Sequence, residues 1–97
     1  MKIKSFNEFN ESVNDNIDYH DRAACRKIWA DLQRAGLRGT AFWDTEGYDG
    51  GMMIIAFGHP YRDELYDRFC DICDRLGYDS FMIATCSEVS GPGIERL

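Results

Sequence analysis

Long apolar runs are missing from this chain of 97 residues. The longest, Met52 to Phe57, is far below the roughly 20 apolar residues that a membrane-spanning helix needs. No membrane contact is expected. Lys2 and Lys4 are followed by no apolar segment, so no secretory signal is expected either. A cytoplasmic setting follows, and with it reduced thiols at Cys25, Cys70, Cys73 and Cys86, where free cysteines commonly serve as small core hydrophobes. Positive charge is also in short supply. Eleven Lys and Arg stand against seventeen Asp and Glu, giving a net charge of −6. Such a chain has no general attraction to phosphate backbones, so direct nucleic-acid binding is not expected. It is attracted instead to basic surfaces, including those that other proteins use to hold nucleic acid, and the same charge keeps a small protein soluble.

Complete chemical motifs are absent as well. Cys70-Asp-Ile-Cys73 has the spacing of thiol oxidoreductases, but those enzymes place the reactive thiol at a helix N-terminus. Here the pair falls deep inside a helical pattern, which favours core packing. A zinc site would have to draw on Cys25, Cys70, Cys73, Cys86, His20 and His59, and no second C-x-x-C or H-x₃₋₅-H pair completes it. Cys70 and Cys73 with Cys86 leave a structural zinc or thiol protein as a second alternative function. Asp44-Thr-Glu-Gly-Tyr-Asp-Gly50 invites a calcium-loop reading, yet the closing acidic ligand would fall at Ile55. A polar hairpin turn accounts for those residues. His59 sits in a strand-to-helix turn without a placed partner, so it reads as a capping residue and not as a base. No nucleophile elbow or phosphate loop is present. The expectation is a non-enzyme with no catalytic residue, no metal and no cofactor.

What is present is ample core material: six Phe, five Tyr, two Trp and four Met beside the aliphatic residues. A chain of this length makes one domain. Asp18 to Ala35 predicts a helix, with Asp18 as N-cap, Asp21 in the first turn, and an apolar stripe of Ala24, Cys25, Ile28, Leu32 and Ala35. Trp29 lies at the margin of that stripe, and Gly36 supplies the left-handed stop. Thr40–Asp44 and Met52–Phe57 predict two strands joined by the glycine-rich loop Glu46 to Gly51, an antiparallel hairpin. A second helix is expected from Pro60 to Leu76, with Asp63 and Glu64 in its first turn and Gly77 ending it. Ser80–Cys86 predicts a last strand, and Ser87–Leu97, with its Gly-Pro-Gly, an irregular exposed tail.

Arg34-Ala-Gly-Leu and Arg75-Leu-Gly-Tyr repeat a helix–Gly–strand plan at an offset of forty-one residues. A doubled unit around a hairpin suits an α+β fold, a two-layer α/β sandwich of (β)αββαβ order with both helices on one face of an antiparallel sheet, ferredoxin-like if Lys2–Phe6 forms the first strand. Three segments follow: 1–17 as an N-terminal strand or short helix plus linker, 18–86 as the α/β domain, and 87–97 as the tail. Ile28, Leu32, Phe42, Ile54, Leu65, Phe69, Ile72 and Phe81 are expected in the core.

Met1-Lys-Ile-Lys-Ser-Phe-Asn-Glu-Phe-Asn-Glu-Ser12 also carries a capping-box pair, Ser5 with Glu8, and an apolar edge of Phe6 and Phe9. The segment resembles the opening of small accessory proteins of T-even-like tailed phages. In some of those proteins it directs packaging and is removed by a maturation protease. That protease wants an aliphatic residue two positions before Glu, whereas Phe6-Asn-Glu8 and Phe9-Asn-Glu11 offer Phe, so removal is not implied here. The resemblance implies a phage origin, the host-cell cytoplasm as location, and a host or defence protein as partner.

The function expected from these features is binding, and inhibition, of such a protein through an acidic and aromatic surface. Asp63, Asp67, Asp71 and Asp74 recur at i, i+4, i+8 and i+11 as a ridge along the second helix, with Arg62, Arg68 and Arg75 available to balance it. Trp43, Tyr48, Asp49 and Tyr61 complete the candidate surface, Tyr19 being a further exposed aromatic, because Tyr and Trp anchor interfaces. The first alternative is a domain binding or sequestering a nucleotide or metabolite, recognised by a pocket with aromatic and Arg lining. The chain is expected as a monomer or homodimer.

Overall fold

The computed structural model of the chain describes residues 17–47 and 50–97. Helix α1 spans Arg22–Arg34 and begins later than the expected start at Asp18. The Asp18 carboxylate accepts from the His20 amide at 2.9 Å, and the Asp18 carbonyl accepts from Asp21 N–H at 3.0 Å. These bonds close a turn ahead of the helix, so the N-cap falls to Asp21, whose side chain accepts from Ala24 N–H at 2.9 Å. The stripe is otherwise as read, and Trp29 joins Cys25, Ile28 and Leu32 in the core.

The C-terminus of α1 folds over at Gly36, which adopts φ +100. Gly36 N–H bonds to the Gln33 carbonyl and Leu37 N–H to the Leu32 carbonyl, a Schellman closure that buries Leu37 beside Leu32. Strands β1 (Thr40–Asp44) and β2 (Met52–Ala56) pair antiparallel in the expected hairpin, Phe42 opposite Ile54 and Trp43 opposite Met53. Their side chains alternate. Ala41, Trp43, Met53 and Ile55 face the helices and are buried, whereas Phe42 and Ile54 point to the other face and are half-buried. The expectation of Phe42 and Ile54 in the core is thus corrected by strand pleat: the partners one residue along take those places.

Helix α2 spans Asp63–Leu76, not 60–76. After β2, Phe57 and Gly58 remain bonded to Cys86 and Ser87 carbonyls, which keeps the chain extended alongside the next strand. Residues 59–62, including a cis His59–Pro60 peptide, then make the turn, and Asp63 and Glu64 occupy the first helical turn. The buried residues of α2 are Phe69, Ile72 and Cys73, with Leu65 half-buried. Gly77 (φ +83) ends it, with Tyr78 N–H on the Cys73 carbonyl and Gly77 N–H on the Asp74 carbonyl. That is the closure of α1 again, with Tyr78 in the role of Leu37, so the forty-one-residue echo is a repeated helix stop.

The segment expected as one strand from Ser80 divides. The Asp79 carboxylate accepts from Phe81 N–H at 3.0 Å and starts a short 3₁₀ turn, Ser80–Met82; strand β3 is only Ala84–Cys86. The turn throws Phe81 outward, 88% exposed, so its predicted burial is corrected. The tail is corrected too: Ile94–Arg96 forms β4 on the free edge of β1, flanked by Thr45 N–H on the Gly93 carbonyl and Leu97 N–H on the Ala41 carbonyl.

The sheet order is β3-β2-β1-β4. Both helices contribute to one core against the same sheet face, so the fold is α+β with two layers, as expected. The sheet is mixed, however, because β3 runs parallel to β2. Helix α2 is a crossover that carries the chain back along the sheet, after which the next strand repeats the direction of the first. In a ferredoxin-like split β-α-β unit another strand lies between those two. Here Ile54 pairs directly with Ala84 and Ala56 with Cys86, which closes that place. The candidate strand 2–6 lies outside the described residues, as does the phage-like opening.

Candidate functional site

The acidic ridge is built as the helical period demands. Asp63, Asp67, Asp71 and Asp74 are all exposed on α2, opposite the stripe that Phe69, Ile72 and Cys73 bury. The three arginines expected to balance it mostly do other things. Arg62 pairs with Glu64 at 3.3 Å, Arg68 reaches across to the Gly36 carbonyl at 3.4 Å, and only Arg75 meets a ridge carboxylate, Asp71, at 3.4 Å. Asp63, Asp67 and Asp74 have no cationic partner among the described residues.

The aromatic half of the expected surface is corrected. Trp43 is 4% exposed because its strand position faces the helices, and Gly51 leaves room for its indole. Tyr19 is buried as well: its hydroxyl accepts from Asp79 N–H at 2.8 Å, and its carbonyl accepts from the Cys25 thiol at 3.3 Å. Tyr61 is half-buried, with its ring against Phe57 and its hydroxyl 2.6 Å from Thr85 Oγ1. Tyr48 and Asp49 lie outside the described residues. Among the described residues the large apolar side chain that stands free is Phe81, on the 3₁₀ turn packed beside α2. The Asp79-Ser80 pair, a capping sequence, was the signal that could have revealed it.

Three of the thiols, Cys25, Cys73 and Cys86, sit in surroundings opposite to those of reactive cysteines. Burial pushes the Cys25 thiol up to about 11, with Asp21 and Asp18 adding repulsion, and the Cys73 thiol up to about 12. Burial raises Cys86 also. A catalytic thiol needs the reverse shift. Among the described residues no group of three or more His, Cys, Asp or Glu is placed to hold a metal. His20 Nδ1 lies 2.9 Å from the Gly51 carbonyl, and His59 Nε2 lies 3.3 Å from Glu88, so both imidazoles tie loops together.

A second feature lies on the other flank of α2. Arg38 and Arg68 line a cleft of about 440 Å³ between the α1 closure and α2, which no sequence signal marks because its parts come from three separate segments. No family model, no curated protein and no solved structure matches the chain.

Proposed function

We propose that the protein is a non-catalytic binding protein that docks on a basic surface of a partner protein through the Asp63–Asp67–Asp71–Asp74 ridge, with Phe81 as its aromatic anchor. The observation that carries this reading is that three of the four ridge carboxylates lack a cation among the described residues while all four are exposed. Rim charges of this kind contribute roughly 0.2–1 kcal/mol per exposed pair, so they steer and orient more than they hold. A desolvated aromatic supplies the larger share of an interface's energy, which is the part given to Phe81.

Four charges separated by eleven helical steps cover roughly 16 Å at about 1.5 Å per residue. That is about one charge per 5.5 Å, sparser than the roughly 3.4 Å of axis per phosphate along one DNA strand. The ridge therefore suits a compact basic patch of a few Arg or Lys better than a long nucleic-acid channel. The phage-like opening, Met1 to Ser12, supports a host or defence protein as the partner and inhibition as the outcome.

Affinity capture with the full chain from host or infected-cell lysate, followed by salt titration, tests the reading. The captured protein should elute progressively as salt screens the ridge. Asp67→Lys with Asp71→Lys should lower its recovery at least tenfold. Recovery unchanged by that reversal removes the ridge as the contact.

A further inference from the structure

We propose that the cleft between the α1 closure and α2 is a binding site for a small organic anion that carries a ring, its phosphate or carboxylate held by Arg38 and Arg68. The cleft measures about 440 Å³ and is lined by Gly36, Leu37, Arg38, Phe57, Leu65 and Arg68. Its size falls within the roughly 300–1,000 Å³ usual for small-molecule sites, and its make-up is theirs too, an apolar floor with a few polar groups. Leu37 is buried and rigid because the Schellman closure of α1 fixes it, while Phe57 and Leu65 are half-buried and present hydrocarbon to the opening. The Phe57 ring is itself set by neighbours, 5.6 Å from the Tyr61 centroid and 6.4 Å from that of Phe69. A ring entering the cleft thus meets a pre-positioned aromatic surface.

Charge decides what else the ligand carries. In a chain of net charge −6, two arginines line one opening and no acidic residue is among its lining residues. Among the described residues Arg38 has no ion-pair partner, and the one hydrogen bond of the Arg68 guanidinium is to the Gly36 carbonyl at 3.4 Å, beyond the range of a good N–H···O bond. The arginines on either side of it meet carboxylates: Arg62, ahead of α2, finds Glu64, and Arg75 finds Asp71. Guanidinium is the group best shaped to hold phosphate or carboxylate through two parallel N–H donors. Arg68 needs to give up only a weak contact to do so. Gly36 belongs to the opening for a steric reason, since a Cβ there would come within 3.2 Å of the Arg68 guanidinium. The site goes beyond the ridge reading and does not depend on it, for none of the four ridge aspartates lines the cleft.

Amide chemical-shift titration of the full ¹⁵N-labelled chain tests the proposal with four probes: AMP, phenylacetate, adenosine and inorganic phosphate. Saturable shifts centred on Gly36, Arg38, Phe57 and Arg68 are expected with AMP or with phenylacetate, and whichever binds more tightly identifies phosphate or carboxylate as the preferred anion. Adenosine and inorganic phosphate, each lacking one half of the ligand, should bind at least tenfold more weakly. Arg38→Gln with Arg68→Gln, both at exposed positions, should weaken the better probe at least tenfold while the rest of the spectrum stays folded. Absence of saturable shifts at these amides with both AMP and phenylacetate overturns the proposal. So does inorganic phosphate binding as tightly as AMP, or affinity that survives the double substitution. Should the double variant lose its folded spectrum, the single substitutions Arg38→Gln and Arg68→Gln replace it, and affinity unchanged in both overturns the proposal.

Discussion

The Tyr78 hydroxyl donates a hydrogen bond to the Asp31 carboxylate, fastening the residue that follows α2 to a side chain of α1. Lys27 and Arg34 approach the same carboxylate from either side along α1. The Tyr78 bond is the largest influence holding the Asp31 carboxyl below its usual range, with Lys27 and Arg34 acting in the same sense, and burial together with Asp31 raises the Tyr78 phenol. This contact ties the closure of α2 to α1, beside the exposed reach of Arg68 to the Gly36 carbonyl.

Tyr78→Phe is expected to lose about 1 kcal/mol, the net worth of one such bond, and the loss should depend on pH. Asp31 has a folded-state pKa below its unfolded value near 3.8, so its contribution is present above that pH and disappears as pH falls through the folded value. Tyr78 is shifted the other way, so its contribution is complete below its unfolded value near 10.0 and fades as pH rises through the folded one. Urea titrations at about pH 3 and pH 7 check this: the difference between wild type and Tyr78→Phe should be larger at pH 7.

Gly51→Ala should be among the most damaging single-methyl additions in the domain. Gly51 has φ +150, and a Cβ there would lie 2.2 Å from the Trp43 ring, which is locked in the core. Overpacking typically costs about 1–3 kcal/mol, to which the unfavourable backbone conformation adds. At roughly 4–8 °C per kcal/mol for a domain of this size, calorimetry should show Tm lowered by about 10 °C or more.

Phe69→Ala and Phe81→Ala separate the two roles of phenylalanine. Phe69 is fully buried, and its truncation should cost about 3–5 kcal/mol. Phe81 is 88% exposed, so its truncation should stay within about 0.5 kcal/mol of wild type by the same denaturation measurement. If Phe81 serves as an anchor, the same variant should lose partner capture with stability intact.

Thiol labelling should follow burial and not the C-x-x-C spacing. Cys25 and Cys73 are fully buried, with thiols pushed up to about 11 and about 12, whereas Cys70 and Cys86 are half-buried. Iodoacetamide at neutral pH, read by peptide mass spectrometry, should mark Cys70 and Cys86 first and reach Cys25 and Cys73 only in denaturant.

Periodicity carried much of this fold in advance. The stripes of Cys25, Ile28 and Leu32 and of Phe69, Ile72 and Cys73, the glycine stops at 36 and 77, and the hairpin of β1 and β2 were all readable because each is a local pattern of spacing. Pleat phase was not readable in a run apolar on both faces, such as Met52 to Phe57, so Ile54 was placed inwards when Met53 and Ile55 are. Phe81 was misplaced because one capping carboxylate, Asp79, outweighed the strand-forming residues around it. The ridge was legible as a helical spacing, but where Arg62 and Arg68 turn their charge depends on tertiary neighbours. The cleft of Arg38 and Arg68 left no local pattern at all.

The pairing of β4 with β1 also has a temporal side. Thr45 and Gly93 are bonded across a separation of 48 residues, whereas β1 and β2 are joined by a short loop. During synthesis at roughly 5–20 residues per second, the outer edge of β1 stays bare for several seconds after the hairpin can form. Through that interval it presents open N–H and C=O groups to any extended peptide nearby. The window closes when β4, with its charged residues Glu95 and Arg96, pairs along that edge. For this chain the edge most open to mispairing in the nascent state is that of Thr40 to Asp44.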